Sequence, residues 1–241
     1  MPGLVVLGGR NLGGAILTRF LAEGWTAAGV SLSEQTAAET RARGALAYTC
    51  DVRDPVALAR VLDRAAAELP GLTVLVNAVS LARARPAENF HGGPVAEARP
   101  DALHWWTVPV LEAGFSFLRE GARALQAGGN GGVLIQITNG SARRPAAGHG
   151  LWAAAHAGLR AMTHGVAQEL RPQGIRAALL VVDAPLNSPG TDERRWQEGV
   201  PAQESADLDA VAAAAHVLAT QDERAVSYEL VVTPTGRAWQ P

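Results

Sequence analysis

The chain has 241 residues, 48% of them apolar, and a net charge of −2 from 21 basic and 23 acidic side chains. It can bury a sizeable core, and it lacks the basic excess of a nucleic-acid surface. Every basic residue is arginine, which excludes a lysine Schiff base and a Walker-type phosphate clamp, and the single Cys50 excludes a disulfide framework and a cysteine-rich zinc site.

The first apolar run, Leu4–Leu7, has no basic flank, and no segment reaches ~18 uninterrupted apolar residues, so no membrane partner and a cytoplasmic location are expected. Further strand-like runs follow at Thr26–Ser31, Leu46–Cys50, Leu72–Asn77, Val133–Thr138, Ala177–Val182 and Glu229–Val232. Several are nearly continuous in Val, Leu and Ile, the pattern of strands covered on both faces. Between them, Leu58, Val61, Leu62, Ala65 and Leu69 follow helical spacing, as do Leu159, Met162, Val166 and Leu170, and Leu208, Val211, Ala215 and Leu218. Seven strands alternating with about six helices predict one α/β domain over 1–241, a Rossmann-type doubly wound and mostly parallel sheet. Ala82–Pro100 and Pro185–Ala206 interrupt the rhythm with Pro, Gly and charge after strand ends, which makes them candidate substrate loops.

After the first strand comes Gly8-Gly9-Arg10-Asn11-Leu12-Gly13-Gly14, and then a helical pattern. Glycines here permit positive φ and let the backbone approach a phosphate at the helix N-terminus; a ligand-free tight turn is the other reading. His91, His104, His149 and His164 show no metal-ligand spacing, so no metal site is expected.

With these residues in place, the sequence resembles the short-chain dehydrogenase/reductase family along essentially its whole length. The family opens on T-G-x-x-x-G-x-G. Counting back from Gly24 puts Leu7, Asn11 and Gly13 at the motif glycines; a loop one residue shorter makes Gly8 the first. Cys50-Asp51-Val52 resembles the segment whose aspartate contacts adenine, Leu75-Val76-Asn77-Ala78-Val79-Ser80 the L-V-N-N-A-G strand end, and Gly174-Ile175-Arg176 the G-I-R before the sixth strand. The resemblance implies a nicotinamide dinucleotide held by Gly8, Gly9, Arg10, Asn11, Leu12, Gly13, Ser31, Asp51, Val52, Asn77, Ala78, Val79 and Ser188. Ser31 lacks the acid that binds the ribose 2′-OH in NAD(H)-linked members. Arg10 stands where a guanidinium forks onto a 2′-phosphate, or is a solvated turn residue, so NADP(H) is favoured over NAD(H), and no cofactor at all remains open.

The family's chemistry uses a Tyr, a Lys four residues later, a Ser thirteen residues earlier and an Asn on the preceding helix. The matching positions carry Trp152, His156, Asn139 and Leu111, so the ordinary mechanism is excluded. An indole N–H donates only and cannot cycle a proton. Trp152 is then packing or a stacking platform. His156 donates to a ribose hydroxyl, serves as an acid–base group with an inflection near the usual 6–7, or merely fills a lysine-shaped space. His149, in the loop before Trp152, is a further candidate histidine of the site, Trp105-Trp106 precede the helix bearing Leu111, and Asp183 is a new ligand-facing acid or, the favoured reading, a cap of its loop. The family's P-G-x-x-x-T after the sixth strand is replaced by Asp183-Ala184-Pro185-Leu186-Asn187-Ser188.

Three functions compete: an atypical oxidoreductase acting weakly on an unidentified small molecule; a pseudoenzyme that binds a ligand or partners an active relative; and a cofactor-independent lyase, cyclase or dehalogenase-like enzyme. A homodimer or homotetramer is expected, or a hetero-oligomer with an active relative.

Overall fold

The computed structural model describes residues 1–81, 91–188 and 202–237. Chain order runs β1 Gly3–Leu7, α1 Leu12–Ala22, β2 Thr26–Ser31, α2 Glu34–Ala42, β3 Leu46–Thr49, α3 Pro55–Glu68, β4 Leu72–Asn77, α4 Ala102–Gly128, β5 Gly132–Asn139, α5 Gly150–Leu170, β6 Ile175–Val182, α6 Leu208–Thr220 and β7 Glu229–Val232. The strands form one sheet, ordered β3-β2-β1-β4-β5-β6-β7, in which every pairing is parallel.

Alternation along the strands divides the core between the two faces of the sheet. Val5, Leu7, Val30, Leu75 and Leu134 pack under Leu58 and Leu62 of α3 and Phe117 of α4. Their neighbours Leu4, Val6, Val74, Val76 and Ile135 pack under Ile16, Leu17 and Phe20 of α1 and Val211 and Leu218 of α6. Both faces are buried, which is why the strands read as continuous apolar runs.

Local chemistry sets the helix starts. Asp54 accepts from the Val56 and Ala57 amides with Pro55 in the first turn of α3; Ser33 accepts from Thr36 N at α2, and Asp207 from the Asp209 and Ala210 amides at α6. α4 differs from the sequence expectation. It begins at Ala102 and runs through Pro109, so Trp105 and Trp106 lie within it rather than before it. The cause is tertiary: Ala102, Trp106 and Val110 pack with Leu151, Ala155 and Leu159 of α5, and that burial outweighs the proline's lost hydrogen bond.

The strand order reverses at β1 and β4, which bind the two sides of the switch point. The crevice of an open α/β sheet lies there, outside the carboxyl ends of the strands. Of the two candidate loops, residues 82–90 and 189–201 lie outside the described residues. No described helix is long and apolar enough to cross a membrane, and no group of three potential metal-binding side chains occurs among the described residues.

Candidate active site

A crevice of about 1260 Å³ runs along the carboxyl edge of the sheet, from the glycine turn to the end of β6. It exceeds the roughly 300–1,000 Å³ usual for one small ligand and has room for a dinucleotide together with a second molecule.

Its first half is built around Gly8, which has φ +91° and whose N–H donates to Val30 O at 2.8 Å. A Cβ at Gly8 would stand 3.0 Å from Ala78 O, and one at Gly13 would stand 1.5 Å from Gly8 O. Only glycine permits that approach of α1 to the turn. Leu7 ends β1 fully in the core, so it is no motif glycine; Gly8 takes the turn, as in the shorter-loop reading. Gly8, Gly9, Arg10, Asn11 and Leu12 line the crevice, whereas Gly13 lies behind them.

Ser31 is buried and donates to Ser33 O at 3.0 Å, leaving no acid at the end of β2. Asp51 and Val52 line the crevice beside it. The Asp51 carboxylate accepts from Arg53 Nη2 at 2.6 Å and Nε at 3.0 Å, and that guanidinium holds it below the usual carboxylate range. Asn77 is buried and donates to Gln136 Oε1 at 3.0 Å while accepting from Val79 N at 3.2 Å, so it ties β4 to β5 beneath Ala78 and Val79. Ser188 is also buried and is not among the residues lining the crevice, which on that side ends at Leu186.

The second half gathers Asn139, His149, Trp152 and His156 in one wall. Asn139 closes β5, and its Oδ1 accepts from Ser141 N at 3.0 Å. His149 is the residue on which α5 begins. Trp152 and His156 lie one turn apart on α5 with ring centroids 4.6 Å apart. Leu111 packs against Gly158 of α5, and Val110 and Ala113 line the crevice in its place.

Three features of this half were not legible from spacing. Thr138 Oγ1 and His156 Nδ1 share a hydrogen bond at 3.1 Å, and His156 Nε2 is shut off from solvent with no partner among the described residues. Burial first, and then His91, push the imidazole down to about 4, so His156 is neutral at physiological pH and the expected inflection near 6–7 is not its own. His91 stacks on His149 at 3.8 Å and presents an edge-on contact to Trp152 at 5.4 Å, with the buried Trp106 6.1 Å from Trp152. Asp183 follows the ligand-facing reading and not the favoured loop cap: its Oδ2 accepts from Arg144 Nη2 at 2.6 Å, and both residues line the crevice. Gly140 makes room for it, since a Cβ there would stand 1.9 Å from Asp183 Oδ1.

A family model described as enoyl-(acyl carrier protein) reductase matches residues 6–236. None of the curated proteins matches the chain in sequence. Among solved structures, a short-chain dehydrogenase from Rhodopseudomonas palustris is 24% identical with a TM-score of 0.70, over 96% of this chain and 98% of its own. A metagenomic short-chain oxidoreductase in complex with NADP is 24% identical with a TM-score of 0.73, over 97% of both chains. An NADPH-bound short-chain oxidoreductase from Pseudomonas aeruginosa PAO1, described as containing an atypical catalytic centre, is 18% identical with a TM-score of 0.79, over 96% of this chain and 95% of its own.

Proposed function

The chain belongs to the short-chain dehydrogenase/reductase family, and from that premise we propose that it is a nicotinamide-nucleotide-binding oxidoreductase with an atypical centre, acting weakly on a small molecule. The observation that carries the reading is one continuous crevice with a glycine cradle at one end and His156, whose Nε2 has no partner among the described residues, further along. The cradle fits a pyrophosphate: Gly8 to Leu12 bring main chain and the start of α1 to the surface of the crevice with no acid in the helix's first turn. Asp51 and Val52 would bound the adenine, Asn77 to Val79 the central stretch, and His156 a hydroxyl of the far ribose.

NADP(H) is the cofactor favoured over NAD(H). Arg10 lines the crevice beside Ser31 and Ser33, where the acid suited to a free 2′-OH is missing, and a guanidinium can fork onto a 2′-phosphate. The NADP-bound and NADPH-bound neighbours support this reading. The bound group would supply hydride donation or acceptance. This chain's own part is orientation and exclusion of water, with Asn139 as a hydrogen-bonding partner for a substrate oxygen and neutral His156 for the ribose hydroxyl. A neutral imidazole polarises an oxygen by donating to it without transferring a full proton. Titration of the protein with NADPH and NADH, followed by fluorescence and thermal shift, tests the reading; binding of NADPH ahead of NADH supports it, and binding of neither removes it.

A second reading, a pseudoenzyme that binds ligand or partners an active relative, is favoured by the titration of His156 at about 4, which leaves this residue unfit as an acid at neutral pH. Turnover of a carbonyl substrate by the pure protein separates the two. We also propose a cytoplasmic homodimer or homotetramer joined through α4 and α5, supported by the exposure of Leu103 and Phe115 on α4. A monomer in sedimentation at micromolar concentration removes that proposal.

A further inference from the structure

Among the described residues, the charged side chains lining the crevice are Arg10, Arg53, Arg144 and Arg237 against Asp51 and Asp183. Asp51 is engaged by Arg53 and Asp183 by Arg144. The balance is cationic, and Arg10 lies at the glycine turn, at the opposite end of the crevice from the β6 end. The Arg144–Asp183 pair stands across the ends of β5 and β6 in the substrate half, and Arg237, in the segment after β7, lines the crevice as well.

That pair is half used. Arginine carries five N–H donors in a planar fork whose Nε and Nη2 edge matches the two oxygens of a carboxylate. Arg144 gives Nη2 to Asp183 at 2.6 Å, while its Nε is shut from solvent with no acceptor among the described residues. A buried donor left without an acceptor destabilises the arrangement that holds it. A second carboxylate takes Nε and Nη2 together only when Asp183 leaves the guanidinium and the Nε edge turns to the crevice. The Arg144 side chain is 29% exposed and that of Asp183 16%, so an occupant of the crevice can reach the pair. Beside it, Trp152, His91 and His149 offer ring faces and edges to an apolar or aromatic body.

We propose that Arg144 anchors the carboxylate of an organic-acid substrate, with Asp183 as the internal carboxylate that occupies the guanidinium until the substrate displaces it. The proposal deepens the oxidoreductase reading by naming the substrate's chemical class, but the binding step needs no cofactor. Displacement leaves Asp183 facing the crevice, where it accepts from water or from a donor on the ligand. Asp183 is therefore a positioning residue, and its removal has a signature opposite to that of Arg144.

Calorimetric titration of the full chain with sodium benzoate, with benzamide as the neutral control, tests this. Expected are binding of benzoate but not of benzamide, a loss of at least tenfold in Arg144→Gln, and a gain of several-fold in Asp183→Asn, where the competitor has lost its charge. Arg144→Lys keeps the charge without the fork and should fall between wild type and Arg144→Gln; it also serves if Arg144→Gln fails to fold. Absence of benzoate binding, equal binding of benzamide, or weaker binding in Asp183→Asn overturns the proposal. NADPH affinity measured on the same samples separates the two readings: benzoate binding lost with NADPH binding intact removes only the carboxylate anchor, and the reverse removes only the cofactor reading.

Discussion

Thr138 Oγ1 and His156 Nδ1 lie 3.1 Å apart, joining the end of β5 to the second turn of α5 in the crevice wall. The bond fixes the imidazole ring while its other nitrogen, Nε2, stays buried with no partner among the described residues. The histidine is consequently held neutral, its titration pushed down to about 4 by burial and by His91.

That depression makes stability depend on pH. Between about 4 and the ordinary 6.5 the unfolded chain binds a proton at this position that the folded chain refuses. The contribution is fully present above 6.5 and is lost as pH falls toward 4, to a total on the order of 3 kcal/mol at 1.36 kcal/mol per unit. Urea unfolding at pH 7.5 and pH 5 should show a falling midpoint in the wild type and a flatter dependence in His156→Gln. Parallel profiles for the two proteins would place the proton uptake on other groups.

Gly13→Ala should be among the most damaging single changes in the chain. The added methyl would stand 1.5 Å from the Gly8 carbonyl oxygen, so α1 must move off the turn. Overpacking in a close-packed region costs about 1–3 kcal/mol, and here the obstacle is main chain rather than a side chain that can rotate away. Thermal unfolding should fall by several degrees or the protein should fail to fold. By contrast, Gly24→Ala meets nothing within 4 Å and strains only its positive φ, so its loss should be smaller.

Arg10→Gln should weaken NADPH about tenfold or more while changing NADH little, because only NADPH carries the 2′-phosphate that a guanidinium can fork. Fluorescence titration of both cofactors against wild type and variant reads this directly. Equal losses for the two would mean that Arg10 supports the turn and does not read the phosphate.

The fold was almost fully legible because its signal is periodic. β2, β4 and β7 fall on the residues of their apolar runs, and the other strands differ only at their ends. The start of α4 was not legible, because Trp106 is held by Leu151 and Ala155 some fifty residues later and no local pattern reports that packing. The wall formed by Asn139, Trp152 and His156 followed from spacing along one strand end and one helix. Thr138, His91 and Arg144 escaped notice because their partners come from distant segments: Asp183 lies thirty-nine residues beyond Arg144, and an ion pair leaves no trace in the order of residues. The titration of His156 escaped for the same reason, since burial is a property of the packed chain.

Catalysis gives the last prediction. Trp152 can donate but cannot cycle a proton, Leu111 packs on Gly158 instead of completing a relay, and Asn139 already spends Oδ1 on Ser141 N. His156 is neutral over the whole physiological range. General acid–base assistance contributes about 10²–10⁴-fold, so against a typical enzyme rate of about 10 s⁻¹ the wild type should reduce simple ketones at roughly 0.1 s⁻¹ or less. The residual rate should be lower in His156→Ala, which loses the hydrogen-bonding partner of the ribose hydroxyl. Its pH profile should carry no inflection from His156 between pH 5.5 and 8, because that group titrates at about 4. Steady-state rates of cofactor oxidation with a panel of ketones, measured across that range for both proteins, check all three points. Turnover near 10 s⁻¹, or an inflection near 6.5 that vanishes in His156→Ala, would show that a charged His156 does the work of the missing tyrosine and lysine.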